Sequence, residues 1–224
     1  MSRFASLIKA AMVSALMLAS SHSFAFDLTS MVMKTAGHAI YSEGKKHAED
    51  LSSKPSTTVA AAGTVEVAFS PNEGAEALVV KVINSAQREI RVLSYSFTSA
   101  PVTQALLNAK KRGVDVKIVV DFESNASMDR SGKPKSQKSV AALSALSTAG
   151  VDVRTINVYQ IHHDKVIVVD GTSTELGSFN YSAAAANRNS ENVLVNWNNP
   201  ALAKVYLDHF QRNYRQSTPF EARY

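Results

Sequence analysis

Between residues 64 and 216, short β-branched runs alternate with stretches in which apolar residues recur every three or four positions. The first pattern predicts strands at 65–69, 90–97, 114–122, 151–156, 163–169, 175–179 and 192–196, and the second predicts helices at 73–86, 101–111, 139–148 and 200–215. Gly113 and Gly150 follow two of these helices, where a left-handed residue ends a helix well. The runs at 114–122 and 163–169 are almost unbroken in their apolar centres, as strands buried on both faces are. Strands separated by helices of about a dozen residues imply crossover connections. The expected fold is therefore α/β, a single domain built on a mixed, largely parallel sheet flanked by helices on both faces.

The ends of the chain carry a different pattern. Residues 1–25 combine Arg3 and Lys9, an apolar run and Ser23-Phe24-Ala25, which is the arrangement of a secretory signal peptide. The apolar run is shorter than the roughly 20 residues that cross a bilayer as a helix, so export to the periplasm or beyond is expected. Residues 26–63 read as an N-terminal amphipathic helix followed by a Ser/Thr/Ala-rich linker with Pro55. The bland reading of that helix is docking on the main domain, and peripheral membrane contact is the less favoured one. The main domain spans 64–216, with 217–224 as a C-terminal tail.

Composition narrows the chemistry. The 224-residue chain contains no cysteine, which excludes disulfides, thiol nucleophiles and thiolate metal sites. Its formal charge of +5 falls once Arg3 and Lys9 leave with the leader. Mild positive charge suits a polyanionic partner without separating nucleic acid from anionic lipid.

One strand start departs from what a core needs. His163-Asp164-Lys165 precedes the apolar run 166–169, and period-two geometry puts His163 and Lys165 on one face. Ser178 and Asn180 alternate in the same way at the end of the next strand, in Gly177-Ser178-Phe179-Asn180. These groups suit a phosphodiester: Lys165 neutralises non-bridging oxygens, Ser178 and Asn180 donate hydrogen bonds to them, and Gly177 admits close backbone approach. His163 is the group able to attack or to move a proton near neutral pH.

The full spacing, His163-x-Lys165 followed by Asp170 and then Gly177-Ser178-x-Asn180, resembles the signature of the phospholipase D superfamily. Tyr95-Ser96-Phe97-Thr98, the 110–116 stretch and Asn189-Ser190-Glu191-Asn192 extend the likeness to its small, single-motif bacterial endonucleases. The resemblance implies a phosphodiester hydrolase in which His163 forms a phosphohistidine while Lys165, Ser178 and Asn180 hold the phosphate. It further implies that Glu191 orients the histidine and that Asp170 is structural. A single motif per chain implies a homodimer whose partner supplies the second histidine. Two histidines sharing a proton would titrate as a coupled pair. No cofactor and no metal is expected, and the expected substrate is DNA, with RNA as a second polymer. A lipid phosphodiesterase and a non-catalytic polyanion-binding module are the rival readings.

Other residues receive plainer readings. His162 faces away from His163 and is read as structural, and His38, His47 and His209 lack partners at metal-ligand spacing. Lys133, Lys135 and Lys138, in a basic loop at 124–138, are the candidate phosphate contacts outside the motif. The cations at 110–112 read as a helix end, Asp121 and Glu123 as rim groups, and Tyr95 and Trp197 as core aromatics.

Overall fold

The computed structural model describes residues 56–223, together with Lys34, Thr35 and His38. The chain divides into two units, residues 1–57 and 58–224. In the first, Lys34, Thr35 and His38 are helical and exposed. The signal peptide, most of the expected N-terminal helix and His47 lie outside the described residues.

Eight strands of the second unit form one sheet in the order β1-β7-β6-β5-β2-β3-β4-β8. In chain order they are β1 (Thr64–Ser70), β2 (Glu89–Ser94), β3 (Asp115–Asp121), β4 (Asp152–Ile156), β5 (Lys165–Val169), β6 (Ser173–Gly177), β7 (Glu191–Trp197) and β8 (Thr218–Pro219). The helices are α1 (Ala75–Ser85), α2 (Ala100–Lys111), α3 (Phe122–Asn125), α4 (Gln137–Thr148), α5 (Ala183–Asn187) and α6 (Pro200–Gln216).

The mixed sheet and its helical flanks match the expected class, but its parallel share is smaller than expected. Among the ladders of the described strands, only β2–β3 and β3–β4 are parallel; the others, from β1–β7 through β5–β2 and also β4–β8, are antiparallel. The reason lies in the connections. α2 and α4 provide the long crossovers that parallel pairing demands, whereas β5 and β6 are joined by the turn Asp170-Gly171-Thr172, too short for anything but a hairpin. Asp170 (φ 55°) and Gly171 (φ 68°) take the left-handed conformations of that turn.

The strand alternation sorts the core into two layers. Ile167 and Val169 join the larger cluster with Val79, Val82, Ile83, Leu106 and Leu143 from α1, α2 and α4. Val166 and Val168 point the other way and pack with Ala203, Phe210 and Leu207 of α6. All five residues of β5 are buried, which explains its unbroken apolar pattern, and each such aliphatic contributes roughly 1.5–3 kcal/mol. α6 starts where Asn199 accepts a hydrogen bond from the Leu202 N–H, with Pro200 in its first turn.

Two local differences have physical causes. The expected tail adds to the sheet: Thr218 and Pro219 pair with β4, the Phe220 N–H donates to the Val153 carbonyl at 2.9 Å, and Phe220 is buried in the core. The 124–138 segment is less open than expected, because Asp121 caps α3 by accepting from the Ser124 N–H at 2.8 Å and buries Asn125, Ala126 and Ser127 behind it.

Candidate active site

The ladder registers bring the signature residues other than Asp170 to one end of the sheet. Ser94 at the end of β2 faces Lys165 at the start of β5, Gly177 at the end of β6 faces Val193, and Ser70 at the end of β1 faces Glu191 at the start of β7. The strand containing Lys165 begins two residues later than expected, so His163 lies in the extended approach and is exposed.

Tyr95 organises that approach. Its N–H donates to the Asp164 carbonyl at 2.8 Å. Its ring sits 4.6 Å from the His163 ring, and the Lys165 ammonium lies 5.0 Å from its centroid. A ring touching both side chains supports the common face that alternation predicted. Asn125 holds the following loop by donating to the Tyr95 carbonyl and accepting from the Phe97 N–H. The expectation of Tyr95 as a plain core aromatic is therefore corrected: it is half-buried against the side chains of His163 and Lys165. Trp197 does go elsewhere, donating to Glu66.

Lys165 is 6% exposed, and its ammonium donates to the His163 carbonyl at 3.0 Å. Burial pushes its pKa down, opposed by the charges of Asp164 and Glu191. A cation this desolvated, with an ammonium that retains donor capacity, is suited to an incoming phosphate oxygen.

Ser178 and Glu191 form a second group. Ser178 Oγ donates to Glu191 Oε2 at 2.6 Å and accepts from the Asn192 N–H, while Asn189 donates to Glu191 Oε1 at 2.9 Å. Among the described residues Glu191 is thus engaged with Ser178 and Asn189, and no hydrogen bond joins it to His163. The Oδ1 atom of Asn180 is buried without a partner.

Gly177 serves a different close approach from the one expected. A Cβ there would lie 2.2 Å from the Asn192 carbonyl oxygen, so the missing side chain lets β7 close against β6 rather than leaving room for substrate. Lys135 is tied to Glu123 at 2.9 Å, and Lys133 is exposed on the same loop. Asp121 and Glu123 do not converge, since Asp121 is spent on the α3 cap and on the His162 N–H.

Asp170 sits at the far end of β5. Its carboxylate accepts from the N–H groups of Gln87, Arg88 and Glu89 at 2.8–2.9 Å, pinning the turn between α1 and β2. Burial raises its pKa, but these backbone hydrogen bonds outweigh it and hold the carboxyl below its ordinary value.

Behind the site, His162 is 3% exposed and Asp164 points toward α6. His162 Nε2 lies 3.2 Å from Asp164 Oδ2 but off hydrogen-bond geometry, so both ring nitrogens are unpartnered. His209 approaches the same oxygen at 2.9 Å. The sequence offers no partner for His209 at metal-ligand spacing, and only the fold brings it to Asp164.

Comparison with known proteins agrees with this geometry. Residues 79–214 match the family described as cardiolipin synthase, PLD-like domain. Phospholipase D of Rickettsia conorii is 33% identical over 146 residues, 65% of this chain and 67% of the relative. Mitochondrial cardiolipin hydrolase of Xenopus laevis is 31% identical over 142 residues, 63% of this chain and 61% of that protein. The crystal structure of Nuc, a phospholipase D family member from Salmonella typhimurium, superposes with a TM-score of 0.65 at 42% identity, covering 70% of this chain and 98% of Nuc. With His163, Lys165, Ser178 and Asn180 gathered at one sheet end and these relatives beside them, the chain belongs to the phospholipase D superfamily of phosphodiesterases.

Proposed function

We propose that this phosphodiesterase is an exported, metal-independent nuclease acting on DNA, and on RNA as a second polymer, with its site completed by a second copy of the chain. The observation that carries the reading is an imbalance within one chain. Lys165, Asn180 and Ser178 once released from Glu191 supply phosphate-binding groups and His163 supplies a nucleophile, but among the described residues of the second unit no second histidine shares their face, because His162 and His209 lie against Asp164 on the other side. Departure of an alkoxide needs an acid, which a two-fold axis would supply as the partner's copy of the same histidine.

The chemistry then balances in two steps. An imidazole nitrogen of His163 bonds to phosphorus as the bond to the leaving oxygen breaks, and the partner's protonated histidine gives that oxygen its proton. Water next attacks the phosphohistidine, losing a proton to the now neutral partner histidine, and the phosphorus–nitrogen bond breaks. Lys165 offsets the charge on the non-bridging oxygens throughout.

A second copy also accounts for an apolar stripe on edge strand β1. Val65, Val67 and Phe69 alternate on one face and are 59%, 50% and 49% exposed, with Phe69 next to Ser70 at the site end. An exposed apolar stripe on an edge strand is a liability in water, and burial against a copy removes it. Export follows from the leader pattern at 1–25; among the described residues no helix is long and apolar enough to cross a membrane. Lys133, and Lys135 once released from Glu123, are suited to contact flanking phosphates.

A lipid phosphodiesterase is the second reading. It draws support from the relatives named phospholipase D and cardiolipin hydrolase, and from Val158 and Ile161, which are 55% and 52% exposed just before His163. One assay series separates the readings: single-stranded and duplex DNA, then RNA, then vesicles of anionic phospholipid, each with chelator and with His163→Asn as control. Nucleic acid cleaved in chelator by the wild type alone is the expected result. Cleavage of phospholipid alone would replace the nuclease reading, dependence on a divalent ion would overturn the mechanism, and binding without turnover would leave a polyanion-binding module.

A further inference from the structure

The residue between His163 and Lys165 is held from behind. Asp164 Oδ2 lies 2.9 Å from His209 Nε2 and 3.2 Å from His162 Nε2. On the outer side of α6, Arg212 Nη2 lies 2.6 Å from His209 Nδ1. Asn213, one turn along the helix, donates to the His209 carbonyl at 3.0 Å.

Arg212 settles the tautomer of His209. A guanidinium has donors only, so the ring nitrogen facing it must accept and carries no proton. We therefore assign the proton to Nε2, which donates to Asp164 at 2.9 Å; the Asn213 amide nitrogen, at 3.3 Å from the same atom, is the longer contact and is directed by its 3.0 Å bond to the His209 carbonyl. Burial pushes the Asp164 carboxyl up, but the imidazoles of His162 and His209 beside it outweigh burial and hold it well below the carboxylate range. The acceptor at the end of this chain stays ionised.

We infer that His209 is a positioning residue for the site: locked by Arg212 in its Nε2–H form, it grips Asp164 and so fixes the main chain from which His163 and Lys165 project. The inference rests on the phosphodiesterase reading of those two residues. Its mechanical basis is that residue 164 is pinned from two directions. The Tyr95 N–H holds its carbonyl in the plane of the sheet, and α6 holds its side chain from below. With the side-chain anchor gone, residue 164 can rotate about the remaining bond, and His163 and Lys165 on either side of it swing in the opposite sense. A displacement of about 1 Å at reacting groups costs on the order of a hundredfold in rate.

The test uses the full mature chain with bis(p-nitrophenyl) phosphate as the probe, and three variants. His209→Leu removes both ring contacts, His209→Gln keeps a side-chain donor toward Asp164, and Arg212→Leu removes the tautomer lock from an exposed position. For His209→Leu, kcat should fall roughly tenfold to a hundredfold with KM within about twofold of wild type, as when an outer partner of a reacting group is lost. His209→Gln should regain most of that loss. In the wild type, proton–nitrogen correlation spectra of the imidazoles at pH 7 should show His209 protonated at Nε2 alone, and Arg212→Leu should mix the tautomers and lower kcat several-fold.

Unchanged kcat in His209→Leu, no rescue by Gln, or an Nδ1–H tautomer in the wild type would overturn the inference. If His209→Leu does not fold, the Arg212→Leu result decides between the same outcomes. If the wild type hydrolyses no phosphodiester, the functional reading fails, and the ring spectra still determine whether the grip on Asp164 exists.

Discussion

Glu175 carries a pH-dependent stability that one substitution should remove. It lies on β6, wholly buried in the larger apolar cluster, paired across the ladders with Ile167 and Val195. Tyr181 donates its hydroxyl to Oε2 at 2.7 Å, and Oε1 has no partner. Burial pushes the Glu175 carboxyl up to about 8, against an ordinary 4.5, with the tyrosine hydrogen bond pulling weakly the other way. A carboxyl raised in this way is protonated in the native state where the unfolded chain is ionised. Its contribution is therefore complete below the ordinary value near 4.5 and is lost as pH rises toward 8.

At about 1.4 kcal/mol per pH unit, this window amounts to roughly 5 kcal/mol, an upper figure because relaxation around a buried ion reduces it. That is a large fraction of the ~5–15 kcal/mol that holds a domain together. Glu175→Gln keeps an oxygen to accept from Tyr181 and cannot ionise, while its amide adds an unpartnered donor costing about 1–2 kcal/mol. Urea unfolding followed by circular dichroism at pH 4.5, 6, 7 and 8 should find the variant slightly less stable than wild type at the acid end. At pH 8 it should be more stable by about 2–4 kcal/mol, with equal m-values. Parallel stability profiles for the two proteins would refute the reasoning, since Glu175 would then be ionised or hydrated in the native state.

Asp170→Asn should lower stability by about 1–3 kcal/mol through loss of charge-assisted bonds to the 87–89 backbone, yet leave kcat per folded molecule unchanged; a kcat loss in fully folded protein would show that Asp170 acts in the chemistry. Because the Asp170 carboxyl is held below its ordinary value, its contribution is present at neutral pH and disappears as pH falls through that lowered value, so the variant and wild type should converge in acid denaturation. Val67→Asp, at the centre of the β1 stripe, should yield folded monomers in sedimentation and lose activity with the dimer, whereas an active dimer would place the interface elsewhere.

The legible part of this molecule was the part written in local pattern. β5 declares its two-sided burial in Lys165-Val166-Ile167-Val168-Val169, and the spacing of His163, Lys165, Ser178 and Asn180 marks the candidate site because all four lie at or just beyond the adjoining ends of the neighbouring strands β5 and β6. Strand direction was less legible, because helical crossovers dominate the first half of the chain and the hairpins of β5, β6 and β7 reverse it without a strong turn signal at every step. α5 was missed since Ala183-Ala184-Ala185-Ala186-Asn187 has no amphipathic contrast, and β8 since two residues carry no periodicity. The roles of Tyr95 and His209 were hidden for a different reason. Each acts through a contact across long sequence separation, the one meeting His163 and the other Asp164, and no spacing rule reaches that far.

The central claim is covalent, and a single-turnover trap addresses it most directly. An oligonucleotide carrying a radiolabelled scissile phosphate would be mixed with excess enzyme, quenched within milliseconds in alkaline denaturant, where phosphohistidine survives, and the adduct mapped by peptide mass. The account predicts a transient adduct on His163 that forms and decays at rates compatible with turnover and is absent in His163→Asn. Label on another side chain, or turnover at full rate with no adduct at any time point, would contradict it.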